Sequence, residues 1–429
     1  MKVFMLSMGC AKNTADSEHL TAQLIAHGHD ITDDVNDSDI AVINTCGFIQ
    51  DAVKENIDAI IDLENLKHNG TLKKIIVAGC LVNRYENELM QEFSSSVDLF
   101  VRSEEWDRII QFLGGNANTN CKTVSPALNK NFWTRYLKIS EGCNTLCSYC
   151  AIPMIRGRLR SIPLKTLIDE ALMLCSAGAK ELCLVGQDLT VYGTDINTNL
   201  QELIHELNRE LPKDTWLRLL YLHPNRVDEA LIDFLIEHEK VIHYLDIPIQ
   251  HIDPQILSLM NRPCKDGHMR DIFRYIRRID SLFTLRTTIM TGFPSESESS
   301  FERVIDFMND IEFDRLGAFV YSPEAGTKAA GLKGKVSRKT AESRCARILE
   351  EQSRISHERS ELFIGRELDV IIEDIDDESH EIWGRSYRDA PEVDGLVCVS
   401  GLEGAKLGDV VRTKIYDCNE NDLFGEVIA

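Results

Sequence analysis

Three apolar, β-branched runs in the first eighty residues each end on a cysteine: KVFMLSMGC at Cys10, IAVINTCG at Cys46 and KKIIVAGC at Cys80. The amphipathic stretches ADSEHLTAQLIAHG and DAVKENIDAIIDLENL separate them. Alternation of this kind predicts βαβ units around a parallel sheet. All carboxyl ends of a parallel sheet lie on one edge, where open α/β folds bind ligands. Topology therefore brings together three thiols that are more than thirty residues apart in sequence.

The 429 residues exceed one ordinary core. GGNANTNCKTVSPALNKN is polar, lacks periodicity and reads as a linker. Beyond it, RYLKISEGC, ELCLVGQD, WLRLLYLHP, YLDIPIQH, TLRTTIMTGFP and RLGAFVYSP are strand-like, with helical stretches between most of them. Six such units predict a partial or open TIM-like (β/α)6 barrel, with functional residues just after the strands, at Cys143, Gln187, His223, His251 and Gly292. The charged helical stretch from Ser337 to Gly365 leads to ELDVIIED, EIWGRS, GLVCVSG, VVRTKIYD and LFGEVIA, which predict a small all-β barrel of OB-like size. The expected fold class is α/β. Residues 1–115 form an open parallel domain, 116–131 a linker, 132–358 the partial barrel and 359–429 the small barrel.

No apolar stretch is long enough to span a bilayer, and MKVFMLSMGCAKN lacks a signal-peptide core and cleavage site. The expected location is cytoplasmic. Thirteen cysteines, an odd number in such a chain, point to metal or cluster ligation for some of them. Cys175, Cys183, Cys345 and Cys398 are read as core residues, Cys121 as a surface thiol of the linker, and His19, His27 and His29 as surface residues. The net charge of -22 argues against a large phosphate-tracking surface. Residues 361–429 carry 18 Asp plus Glu against 6 Lys plus Arg, a net of -12, including Asp374, Asp376 and Asp377.

EGCNTLCSYC at 141–150 sets Cys143, Cys147 and Cys150 in CxxxCxxC spacing after a strand-like run. A structural zinc site wants four closed ligands, and no histidine or fourth cysteine follows. A 4Fe-4S cube held by three thiolates keeps one iron open. The arrangement, with Tyr149 before the third cysteine, resembles the radical S-adenosylmethionine (SAM) enzymes. That resemblance implies that the open iron chelates SAM and that the reduced cluster cleaves it to a deoxyadenosyl radical. It also suggests Tyr149, Gln187, Asp188 and Gly292 as residues on the SAM side; ordinary loop geometry explains the last three as well.

The order of a cysteine-bearing α/β domain, a radical SAM barrel and a small β-barrel resembles the methylthiotransferases over essentially the whole chain. This implies a second 4Fe-4S cluster on Cys10, Cys46 and Cys80, with SAM as both methyl donor and radical source. SMGCAKNTADSE, DIPIQHI, YSPEAGT and GRSYRDAPEVDG resemble the RimO-type branch, which modifies an aspartate of the small-subunit ribosomal protein near the decoding centre. The last domain resembles a TRAM module; an RNA clamp should be basic, and this one is acidic. The expected partners are therefore a basic ribosomal protein as substrate and an electron-donating reductant, with tRNA disfavoured and a monomer as the working form. The alternatives are a tRNA adenosine methylthiotransferase and a non-radical iron-sulfur redox protein. Two departures stand out: RSIP replaces the family's Ser-Arg-Pro at 160–163, leaving Arg156, Arg158 or Arg160 to take the arginine's place, and TGFPSES lacks a second glycine.

Overall fold

The computed structural model describes residues 1–115, 131–264, 267–376 and 378–428. Cys121 and Asp377 lie outside the described residues. The first sheet comprises β1 (Lys2–Ser7), β2 (Asp30–Thr32), β3 (Ile40–Thr45), β4 (Lys74–Gly79) and β5 (Leu99–Val101), parallel throughout in the order β2-β1-β3-β4-β5. Helices cover both faces. Ile60, Leu63, Leu81 and Val82 are buried on one side, and Leu20, Leu24, Ile109 and Ile110 on the other. The edge strands β2 and β5, three residues each, add to the three strands expected.

β6 (Thr134–Lys138) opens the second sheet, and the two-residue strands β7 (Ser140–Glu141) and β8 (Arg160–Ser161) pair antiparallel to bracket the cysteine loop. β9 (Glu181–Val185), β10 (Trp216–Leu219), β11 (Val241–Asp246), β12 (Thr284–Thr291) and β13 (Arg315–Val320) follow in sequential parallel order from β6. β6 and β13 are the two edges, so this is the open six-stranded barrel expected. β14 (Glu367–Ile375), β15 (Ile382–Arg385), β16 (Val397–Ser400), β17 (Val410–Cys418) and β18 (Leu423–Val427) close into a small barrel in the order β14-β15-β16-β18-β17. The preceding helix is capped at Ser337, whose hydroxyl accepts the Thr340 N–H at 3.1 Å, and runs from Arg338 to Glu361. A boundary at 358/359 thus falls inside its last turn.

Segment 384–395, GRSYRDAPEVDG, joins the small barrel to the large one by entering the end where the strands begin. Arg385 donates to Thr134 at 2.8 Å and to Glu181 at 2.6 Å, the first residues of β6 and β9. Arg315, the first residue of β13, donates to Asp389 at 2.5 Å, and Arg218 donates to the Tyr387 carbonyl at 3.0 Å. Burial opposes ionisation of Glu181, but Arg218 and Arg385 prevail and hold its carboxyl at about 2.

Burial corrects several expectations. Of Cys175, Cys183, Cys345 and Cys398, Cys183 is fully buried and Cys175 packs half-buried against the barrel core as expected, while Cys345 and Cys398 are only half-buried. His29 is buried at 8 % exposure and so is not a surface residue, while His27 is half-buried beside the Gln23 carbonyl. His19 is exposed, yet it reaches Glu170 of the barrel domain at 2.6 Å. Among the described residues, no helix is long and apolar enough to cross a membrane.

Candidate active site: two cysteine sets across one crevice

Cys10 is the N-cap of helix Ala11–Ala26, Cys46 directly follows β3, and Cys80 opens helix Cys80–Phe93. Their loops touch. A Cβ on Gly9, whose φ is +102°, would stand 2.8 Å from the Cys46 Cβ; one on Gly47 would stand 2.9 Å from the Cys80 carbonyl oxygen. Glycine is required at both for the loops to come this close. Buried Asn13 ties the loops together, donating to the Met8 and Thr45 carbonyls at 2.7 and 3.0 Å, while Asn56 accepts the Cys46 N–H at 2.9 Å. Burial works against the Cys10 thiolate, but Lys12, the Asn13 N–H and Arg156 hold its thiol below the ordinary value. Burial raises Cys46, and pushes Cys80 up to about 11.

The second set lies in the loop between β7 and the short helix Ile152–Ile155. Segment 259–262 pins it: the Ser148 N–H donates to the Met260 carbonyl at 2.9 Å, its hydroxyl to the Leu259 carbonyl at 2.7 Å, and Arg262 reaches the Cys147 Sγ at 3.4 Å. Burial pushes the Cys150 thiol up to about 12, with Cys147 and Cys143 adding to the shift. Tyr149 is half-buried and packs edge-on against Phe293, with ring centroids 6.5 Å apart.

Arg156 ties the first set to β7, the strand that leads into the second. Its Nε donates to the Cys80 Sγ at 2.9 Å, Nη1 to Asp16 at 3.0 Å and Glu141 at 2.9 Å, and Nη2 to the Asn13 side-chain oxygen at 2.6 Å. Lys138 pairs with the same Asp16 and Glu141. Burial opposes ionisation of Glu141, but Arg156 and Lys138 hold it at about 2. Cys80 also packs on Ala151 and Ile155, so the third strand-end cysteine of the first sheet touches the loop that carries the other three. Of the three arginines offered in place of the missing Ser-Arg-Pro, Arg156 is buried, whereas Arg158 and Arg160 are exposed.

These donors fit iron-sulfur cubes and SAM. All six cysteines are free thiols, three at the strand ends of the first sheet and three in the loop after β7. Among the described residues, no three His, Cys, Asp or Glu side chains close around a single ion; thiolates bound to different irons of a cube stand farther apart than the ligands of one ion. Beyond the carboxyl ends of β9, β10 and β11, buried polar atoms lack partners at Gln187 Oε1, His223 Nε2, Gln250 Oε1 and Arg262 Nε. Buried polar groups are normally satisfied, so these mark the place of a polar ligand.

The other suggested residues are divided. Gln187 donates to Glu141 at 2.8 Å and keeps its oxygen open. Asp188 is already engaged, by Arg226 at 2.6 Å and by the Thr190 N–H at 3.1 Å. Gly292, with φ at +75°, gives room to the helix Arg338–Glu361: a Cβ there would stand 2.3 Å from the Ala341 Cβ. Gly292→Ala is expected to cost about 1–3 kcal/mol, measured by denaturant unfolding. His251 is wholly buried, and its Nδ1 accepts the Asp253 N–H at 2.9 Å. Arg262 gave no signal in sequence, because only the fold brings residue 262 to residue 147.

Residues 2–101 match the Uncharacterized protein family UPF0004, residues 137–308 the Radical SAM superfamily and residues 364–428 the TRAM domain. The chain is 39 % identical over 443 residues to the ribosomal protein uS12 methylthiotransferase RimO of Citrifermentans bemidjiense, covering 100 % of this chain and 98 % of that protein. The chain belongs to the RimO family of methylthiotransferases. The RimO of Aquifex aeolicus is likewise 39 % identical, over 99 % of this chain and 97 % of its own length. Among solved structures, the radical SAM methyltransferase TsrM of Kitasatospora setae, with tryptophan and a SAM analogue bound, aligns at a TM-score of 0.55 and 14 % identity. That alignment covers 74 % of this chain and 72 % of TsrM, and at this identity it speaks for the fold alone. A RimO-family chain is a radical SAM enzyme that uses SAM and 4Fe-4S clusters.

Proposed function

We propose that this enzyme adds a methylthio group to the β-carbon of an aspartate of ribosomal protein uS12. One 4Fe-4S cluster would sit on Cys143, Cys147 and Cys150, and the other on Cys10, Cys46 and Cys80. The observation that carries this reading is the packing of Cys80 on Ala151 and Ile155, in the segment that directly follows Cys150, with Arg156 of the same segment bonded to the Cys80 sulfur. When bound, the cofactors would supply the radical and sulfur chemistry of the reaction. The chain's own part is positional. Gly9 and Gly47 let the strand-end loops meet, and Arg156 fixes Cys80 against Asp16, Glu141 and Asn13. The open polar atoms of Gln187, His223 and Gln250 would receive SAM.

The working form proposed is a cytoplasmic monomer served by a separate electron donor. Residues 1–115 form the methylthiotransferase domain, 132 to about 361 the radical SAM barrel, and the rest the TRAM domain. The TRAM surface exposes Glu367, Asp369, Asp374, Asp376, Glu378 and Glu381, which would attract a basic ribosomal protein and repel phosphate. Neutralising Asp374 and Asp376 to asparagine is expected to slow association with uS12 roughly two- to tenfold at low ionic strength and to flatten its salt dependence, measured by stopped-flow. The test of the function is the mass of a uS12 peptide after incubation with the anaerobically reconstituted enzyme, SAM and a reductant, with tRNA in parallel. A methylthio adduct on the peptide alone supports the reading; modification of tRNA, or of neither, overturns it.

A further inference from the structure

Helix Ala11–Ala26 sends one lysine from the N-terminal domain to the barrel mouth. The Lys12 Nζ lies 4.0 Å from the centroid of the Tyr221 ring and 3.4 Å from the Gly186 carbonyl oxygen. Gly186 follows β9 and Tyr221 follows β10, at the carboxyl ends of the barrel strands. Lys12 also stands two residues beyond Cys10. One cation thus reaches from the Cys10 loop of the first sheet to the carboxyl ends of β9 and β10.

Its neighbours are engaged. Arg156 and Lys138 share Asp16 and Glu141, Arg226 holds Asp188, and Arg84 holds Glu324. Among the described residues, no carboxylate closes an ion pair on Lys12. An ammonium carries three donors, and this half-buried one has a π face, a single long carbonyl contact and the charge of the neighbouring Cys10 side chain, with donors left over. The residue beneath it is held in an uncommon backbone conformation, with Tyr221 at φ +68°.

We propose that the Lys12 ammonium receives the side-chain carboxylate of the target aspartate. The inference rests on the aspartate reading above and names the residue that recognises it. The carboxyl carbon is bonded directly to the β-carbon, so fixing the carboxylate holds the reacting carbon at the barrel mouth beside the Cys10 loop. Adenine carries no anionic group to take that position, so the same lysine selects protein over tRNA. Isosteric asparagine would keep the shape and lose the charge.

The test measures dissociation constants of a uS12 peptide and of its Asp-to-Asn counterpart on the full-length, anaerobically reconstituted enzyme with SAM, for wild type, Lys12→Gln and Lys12→Arg. Iron content verifies that each variant is folded and loaded. Wild type is expected to prefer the aspartate peptide by about tenfold or more, the size of one charge-assisted hydrogen bond. Lys12→Gln should bring that ratio close to unity, and Lys12→Arg should retain most of it. An unchanged ratio in Lys12→Gln overturns the ion pair alone, as does weaker SAM binding with the ratio intact. Wild-type enzyme that binds neither peptide overturns the substrate reading, and the ion pair with it.

Discussion

Replacing Cys143, Cys147 and Cys150 together by alanine is expected to reduce SAM cleavage to background while about half of the reconstituted iron stays bound. Each cysteine set has its own support: Asn13, Asn56 and the close glycine loops for one, segment 259–262 for the other. Losing one set therefore leaves the scaffold of the other standing. The reciprocal variant, with Cys10, Cys46 and Cys80 changed to alanine, should still cleave SAM and yield no methylthio product. Iron analysis and liquid chromatography of cleaved SAM read both arms.

The second large effect lies far from the chemistry. Arg385→Met is expected to destabilise the protein by about 2–4 kcal/mol, because it takes from buried Glu181 one of its two arginine partners and leaves Glu373 with only the Trp133 N–H. Arg385 and Glu181 have side chains 1 % and 0 % exposed, and Arg385 also satisfies Glu373 and Thr134. The pH dependence has a definite sign. Glu181 is depressed from 4.5 to about 2 in the folded state, so its pairing stabilises fully above 4.5 and is lost as pH falls through about 2. The stability gap between wild type and Arg385→Met should narrow over that window, as read by urea unfolding at a series of pH values.

Much of the site was legible because strand periodicity and cysteine position were in phase. β1, β3, β4 and all six barrel strands follow from alternation, and the six candidate ligands follow from where those strands stop. β2 and β5 are three residues long, too short for any period to show. Arg156 could be named only as one of three arginines, since its selection depends on burial against Asp16 and Cys80 from another domain. GRSYRDAPEVDG stood out as a string, yet its seat in the barrel rests on pairs such as Arg385 with Glu181, 204 residues apart. Long-range pairing of this kind leaves no local pattern. His29 misled for a related reason: a histidine just past a helix end looks exposed until the fold covers it.

The proposed seating of two clusters close to one another is tested most directly by electron paramagnetic resonance of the fully reduced, reconstituted enzyme. Broadening or splitting from magnetic coupling between the two clusters is predicted, and each triple-alanine variant should lose it. A spectrum equal to the simple sum of the two variants' spectra would contradict a shared site.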